Sequence, residues 1–352
     1  MIYECNHPTL DKDFNKLLLN HKNDSRKLVP NDINSDQIYD VEELPLIDLR
    51  GLTSGDNRER VECVEAIARA SSEWGFFQIV NHGVSVKLLT EIRREQIKLF
   101  NAPFKTKSSH GLLNNSYRWG STTANSPENF SWSEAFHISL TKISDPACYG
   151  EFDSLREVLV EYAATMQKLA KQLTGVLMMN LSSKNGGSWF EEDTISCEES
   201  TCFLRLNHYP ICTLSAQQQV FGLVPHTDSD YLTILHQDRV GGLQLLKDSK
   251  WVAVKPNQDA LIVNIGDLFQ AWSNDIYKSV KHKVMSNATM ERFSVAYFIC
   301  PSYDSFVGSC KKPSLYKDFT FGEYRSQVQQ DTRTIGYKVG LPRFRREHNS
   351  YN

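Results

Sequence analysis

None of the eight cysteines (Cys5, Cys63, Cys148, Cys197, Cys202, Cys212, Cys300, Cys310) stands in a Cys-x-x-Cys pair, which excludes the commonest zinc clip and the disulfide-exchange motif. No stretch approaches the ~18 apolar residues of a membrane span, and the opening residues MIYECNHPTLDKDF have no apolar centre of signal-peptide length. Neither sign of charge prevails: 39 Lys and Arg against 42 Asp and Glu leave a net charge of −3. With acidic residues in slight excess there is no basic field to hold a nucleic-acid backbone, and no basic run marks a membrane or nuclear patch. These absences predict a reduced protein of the cytoplasm, open to the nucleus as well, with no nucleic-acid or membrane partner. Internal repeats and low-complexity tracts are also missing.

What is present is a globular composition, 40% hydrophobic and 23% charged, in a chain of 352 residues, enough for one large or two ordinary domains. Residues 1–43 are polar and rich in Asn, Asp and Lys and read as a mobile arm. Order is expected from LPLIDLRGL onward. Val61, Val64, Ile67 and Ala68 fall at helical spacing, as do Leu88, Leu89, Ile92, Ile97 and Leu99, with the β-rich run WGFFQIVNHGV between them. A long amphipathic helix is predicted over about 154–181, with Leu155, Val158, Leu159, Tyr162, Met166, Leu169, Ala170 and Leu173 on one face. After Ser200 the texture becomes short β runs: CFLRLNHY, YLTILHQ, GGLQLL, KWVAVKP, ALIVNIGDLF, YKSVKHKV and RFSVAYFI. Strands so spaced fit a sandwich or a barrel-like jelly roll. YRSQVQQDTRTIG reads as a last helix.

The pattern His-x-Asp occurs twice, at His226-Thr227-Asp228 and His236-Gln237-Asp238. Chance supplies such a triplet at roughly even odds (~0.6), so one impostor is expected. Asp238 precedes Arg239 and a glycine pair, which is ordinary turn chemistry. His226 follows Pro225, reads as opening a strand, and is succeeded by further polar residues, which suits a metal cup. Asp230 is a rival carboxylate, but its backbone would lie about 13 Å from that of His226 against about 6.6 Å for Asp228. Metal–oxygen distances near ~2.1 Å favour the shorter step. His282, on a later strand, would complete two imidazoles and one carboxylate, the facial triad of non-haem iron(II) oxygenases, although a lone strand histidine is more often structural. Arg292 and Ser294 share a strand face, and folding SNATME into a turn sets His282 across from Ser294. A planar guanidinium with a hydroxyl beside it suits a carboxylate.

With these residues on view, the chain resembles the plant 2-oxoglutarate- and iron(II)-dependent dioxygenases. WGFFQIVNHGV, NHYPIC at 207–212, HTD at 226–228, His282 and Arg292-Phe293-Ser294 carry the resemblance, which spans about residues 44–343. It implies an α+β fold with a double-stranded β-helix, or jelly-roll, core flanked by helices. The core would occupy 199–302, after a helical and β region at 44–198 and before a C-terminal extension with a helix at 303–352. It also implies iron(II) on His226, Asp228 and His282, and 2-oxoglutarate held by Tyr209, Arg292 and Ser294. Dioxygen would be the oxidant, with ascorbate supportive, and no side-chain general base is needed. Ile211 stands where the family commonly has a second proline, a departure in loop stiffness. His82 in VNHGV binds no metal in the family.

Within the family, the run from His226 to Val280 is most similar to gibberellin 2-oxidases, and SYRWGSTTANSPENFSWSEAFHISL to their twenty-carbon branch. The implied activity is 2β-hydroxylation, and so inactivation, of a gibberellin by a monomer. Alternatives are a sister hydroxylase of another terpenoid, alkaloid or phenolic, or a catalytically silent binding jelly roll. A rigid polycyclic acid calls for an apolar pocket with few polar anchors; Tyr117, Arg118, Trp119, Phe136, His137 and Tyr303 are the candidates.

Overall fold

The computed structural model describes residues 6, 8–23, 41–121, 123–185 and 200–346. In chain order these form α1 (Leu10–Asn23), β1 (Val41–Glu42), β2 (Leu46–Asp48), α2 (Arg50–Thr53), α3 (Asn57–Glu73), β3 (Phe76–Val80), α4 (Val86–Phe100), α5 (Phe104–Lys107), β4 (Tyr117–Trp119), β5 (Glu134–Ser139) and α6 (Asp153–Asn185). There follow β6 (Phe203–Tyr209), β7 (Phe221–His226), β8 (Leu232–Gln237), β9 (Leu243–Lys247), β10 (Lys250–Val254), β11 (Leu261–Ile265), α7 (Asp267–Trp272), β12 (His282–Met285), β13 (Arg292–Ile299), β14 (Phe306–Val307), β15 (Phe319–Thr320) and α8 (Phe321–Ile335).

Two sheets make the core: five strands in the order β1-β10-β9-β12-β7, and eight in the order β2-β3-β11-β8-β13-β6-β5-β4. Alternation divides the central strands of the larger sheet. Phe293, Val295, Tyr297 and Ile299 of β13, with Leu204 and Leu206 of β6, join the main apolar core, while the intervening residues line a cavity. The cover on the apolar side is α6. Every residue read as its buried stripe, from Leu155 to Leu173, is buried in that core, and each such leucine contributes roughly 1.5–3 kcal/mol of burial. Helix α8 begins at a capping box, Thr320 with Glu323, and ends at Gly336 with φ 84°, a left-handed cap that glycine adopts without strain.

Three expectations are corrected. The arm is not wholly mobile: Leu10 and Phe14 of α1 are buried against Phe130, Trp132, Cys212 and Val220, because this face is apolar even though the segment as a whole is polar. Residues 1–5, 7 and 24–40 of the arm lie outside the described residues. Strands β2 to β5, within the helical and β region expected at 44–198, extend the larger sheet. His226 closes β7 rather than opening a strand, and Asp228 sits in the connection beyond it. Finally, β12 and β13 do not form a hairpin: β12 pairs with β7 and β9, β13 with β6 and β8. The polar link at 286–291 crosses from one sheet to the other, and symmetry about a turn cannot distinguish a crossover from a hairpin.

Candidate active site

The crossover is what builds the site, because it places His282 on one sheet and Arg292 and Ser294 on the other. His282 pairs in register with His226 across β12 and β7, so the two imidazoles are neighbours with ring centroids 4.3 Å apart. Each Nδ1 lies against a backbone carbonyl two residues earlier, Val224 O at 2.8 Å and Val280 O at 3.1 Å. Those bonds put the proton on Nδ1 and leave each Nε2 as a lone-pair donor.

Asp228 Oδ1 is 3.6 Å from His226 Nε2 and 3.8 Å from His282 Nε2, and the three donor atoms lie within 4.8 Å of one another. They are too far apart to hydrogen-bond and close enough to share one ion with ligand bonds of about 2.1 Å. The other oxygen, Oδ2, accepts from Thr233 Oγ1 at 2.7 Å and Asn264 Nδ2 at 2.8 Å, which orients Oδ1 toward the imidazoles. Burial opposes the charge on Asp228, but the imidazoles and these two donors outweigh it and bring its pKa down to about 2. Burial, then the neighbouring His282, pushes His226 down to about 3. Both groups are therefore held in their ligating forms at neutral pH. Two imidazoles and a carboxylate in this setting fit iron(II), whose triads use this donor set. Asp230, the rival, hydrogen-bonds Thr233 instead and is not one of the converging donors. Burial and the charge of Asp228 raise its pKa well above the ordinary carboxylate range.

On the facing sheet, Arg292 is opposite Tyr209 and Ser294 opposite Asn207. The Arg292 guanidinium is buried, donates to Gln237 Oε1 at 2.8 Å and Ser294 Oγ at 3.3 Å, and sits 4.9 Å from the Tyr209 ring centroid. Among the described residues it has no acidic partner, the condition of a site awaiting an anion. Tyr209 has room for its ring because position 222 is glycine: a Cβ there would lie 2.7 Å from Tyr209 Cδ1.

These groups line one cavity of about 350 Å³, with Leu223, Leu235, Leu243 and Val284 as its apolar walls. A larger, more open cleft of about 670 Å³ holds His82, His236 and Asp238. Asp238 there accepts from the backbone of Val240 and Phe293 and pairs with Arg93 at 3.2 Å, a structural turn as expected of the second His-x-Asp.

Of the six substrate candidates only His137 reaches the cavity. Phe136 points the other way into the core, as adjacent strand residues must. Tyr117 and Trp119 pack with Phe104 at the far edge of the sheet, and the Tyr117 hydroxyl donates to Glu134. Arg118 donates to the carbonyls of Asn115 and Tyr117, and Tyr303 is 55% exposed, stacked on Phe321. The sequence reading missed Phe203, Arg205, Phe298, Arg325 and Lys338, all of which line the cavity. Arg205 and Phe203 could have been found by stepping back in twos from Tyr209. Arg325 and Lys338 come from the C-terminal segment and carry no such signal.

A jelly roll that gathers two imidazoles and a carboxylate opposite a buried, acid-free arginine defines a non-haem iron oxygenase. Residues 200–301 match the model of the 2OG-Fe(II) oxygenase superfamily, and residues 44–155 that of the non-haem dioxygenase in morphine synthesis N-terminal region. The chain belongs to this family of 2-oxoglutarate- and iron(II)-dependent oxygenases, so iron(II) and 2-oxoglutarate are its cofactors. It is 57% identical over 308 residues to gibberellin 2-beta-dioxygenase 6 of Oryza sativa subsp. japonica, covering 86% of this chain and 85% of that one. Identity to gibberellin 2-beta-dioxygenase 8 of Arabidopsis thaliana is 48% over 341 residues, 96% and 98% of the two chains. Among solved structures, that of JOX2 in complex with 2OG, Fe and JA is similar with a TM-score of 0.73 and 31% identity, covering 88% of this chain and 91% of that one.

Proposed function

We propose that this protein 2β-hydroxylates gibberellins, with twenty-carbon forms as its substrates, and so inactivates a plant hormone. The observation that carries the reading is the convergence of His226, Asp228 and His282 in the same cavity as Arg292 and Ser294. Similarity to gibberellin 2-beta-dioxygenases over most of the chain supports the substrate. In this reading His226, Asp228 and His282 hold the metal, and Arg292, Ser294 and Tyr209 hold the far carboxylate of 2-oxoglutarate. With iron(II), 2-oxoglutarate and dioxygen bound, such a site exchanges a C–H bond for C–OH while 2-oxoglutarate leaves as succinate and carbon dioxide. The chain contributes orientation: the Nδ1 bonds fix both rings, Thr233 and Asn264 fix the carboxylate, and Gln237 aims the guanidinium. Leu223, Leu235, Leu243 and Val284 exclude water from the reacting face. No proton needs to be moved by a side chain, which agrees with the lack of an acid–base pair among these residues. The protein acts as a monomer.

The test is mass spectrometry of products from purified protein with iron(II), 2-oxoglutarate and a mixture of nineteen- and twenty-carbon gibberellins. A twenty-carbon gibberellin gaining one oxygen atom, with succinate formed in step, is the expected result. Succinate no higher with any gibberellin than without would overturn the substrate assignment. His226→Ala is expected to reduce succinate formation to background; full activity in that variant would remove the proposed ligand set.

A further inference from the structure

Three cations other than Arg292 line the cavity: Arg205 of β6, Arg325 of α8 and Lys338 beyond it. Lys338 is committed, pairing with Asp267 Oδ2 at 2.7 Å and donating to Thr227 O and Ser229 Oγ at 2.8 Å each. Arg205 and Arg325 are not: among the described residues neither has an acidic partner, and the Nε of Arg205 is buried with no hydrogen-bond partner. Guanidiniums partly withdrawn from water and left without an anion are costly unless a ligand supplies one.

The 2-oxoglutarate placed on Arg292 would sit toward the other end of this strand face. Arg205 is opposite Ala296, four residues along β13 from Arg292, a separation of about 13 Å along the strand. The five-carbon chain of 2-oxoglutarate spans roughly 5 Å. A second anion would meet the unpaired charges there, and the surroundings say what else it would carry. His137, Phe203 and Phe298 form a row of stacked rings across β5, β6 and β13, with centroids 3.9 and 4.3 Å apart, a flat apolar wall. His137 keeps part of its surface exposed, but its ring lies among the cavity walls and close to three arginines; desolvation first, then the charges of Arg205, Arg325 and Arg118, push its pKa down to about 3. It therefore adds an N–H donor without adding a third charge.

We propose that Arg205 and Arg325, with His137, form the subsite that recognises a carboxylate of the organic substrate, and that the Phe203–Phe298 wall takes its apolar body. This rests on the reading of the site as an oxygenase for a polycyclic acid, and it names the residues that select the acid.

The test is calorimetric titration, without oxygen, of the iron(II)- and 2-oxoglutarate-loaded protein with a twenty-carbon gibberellin and with the same molecule methyl-esterified at its carboxyls. The unaltered protein is expected to prefer the acid by about 30-fold, the loss of a charge-assisted pair. Arg205→Gln and Arg325→Gln should each erase most of that preference while keeping affinity for 2-oxoglutarate, which also shows that the variants fold. Arg325→Lys should restore part of it. Equal binding of acid and ester by the unaltered protein, or a preference that survives both substitutions, overturns the subsite. Product formation with an unaltered preference leaves the gibberellin reading standing and removes only this inference. An acid preference lost in the variants, with no oxygenated product from the unaltered protein, does the reverse.

Discussion

At the scale of single residues, the geometry of the proposed metal cup depends on groups outside the three converging donors. Asn264 donates to the Asp228 oxygen that faces away from the imidazoles, so it sets the direction of the one that faces them. Asn264→Ala should lower iron(II) affinity about 10- to 100-fold with little loss of fold, as measured by iron titration of succinate formation; an unchanged half-saturation would show that Thr233 alone suffices. Arg292→Lys keeps the charge but gives up the planar fork, and the KM for 2-oxoglutarate should rise on the order of 10- to 100-fold. The contrast with Asn264 explains what was legible beforehand. His226, Asp228 and Arg292-x-Ser294 carry their relation in spacing along one segment. Asn264 and Gln237 are ordinary strand residues until β11 is laid beside β8, and β8 beside β13.

At the scale of elements, the loop after β7 is held by its neighbour. Asp228 O accepts from Asp267 N at 2.9 Å, Asp230 O from Leu268 N at 3.0 Å, and Tyr231 O from Gly266 N at 2.9 Å. The approach is so close that a Cβ on Gly266 would lie 2.0 Å from Asp230 Oδ1 and 2.2 Å from its carbonyl oxygen. Gly266→Ala must therefore push this loop aside. We expect a cost of about 2–4 kcal/mol in denaturant unfolding together with weakened iron binding, and a normally stable, iron-tight variant would contradict the packing. Helices were the most legible elements, because α4 and α6 show an apolar stripe of the right period; α3 is a helix as well, although Val61 of its expected stripe is 47% exposed. ALIVNIGDLF illustrates the limit. Its first half is β11, and its second half turns into α7 at Gly266, because both halves are uniformly buried and a wholly buried run has no period to read. Strand β7 went unread because Pro225 and the glutamines before it look like a loop.

At the scale of the whole molecule, a buried charge network ties the arm, the helices and the larger sheet together behind the site. Lys107 and Glu134 are both 0% exposed and paired at 2.7 Å. The Lys107 ammonium also donates to the carbonyls of Asn6, before α1, and Phe100, at the end of α4. Glu134 accepts in addition from His208 Nδ1 at 2.7 Å, and His208 Nε2 lies 3.0 Å from Glu291, the residue before Arg292. A carboxylate at each nitrogen favours the imidazolium form of His208. Burial works against that charge, but the two carboxylates prevail and raise its pKa. A pKa raised on folding gives stability that is complete below the unfolded value of about 6.5 and is lost as pH climbs through the folded value. Glu134 runs the opposite way. Burial again opposes, yet His208 and Lys107 lower its pKa, so its share is present above the unfolded carboxylate value and disappears as pH falls through the folded one. His208→Gln should therefore cost about 3 kcal/mol near pH 6, the penalty of breaking a buried pair. The difference in Tm from the unaltered protein should shrink steadily on the alkaline side. A gap that is constant with pH would mean that His208 is neutral and that Glu134 is balanced by Lys107 alone.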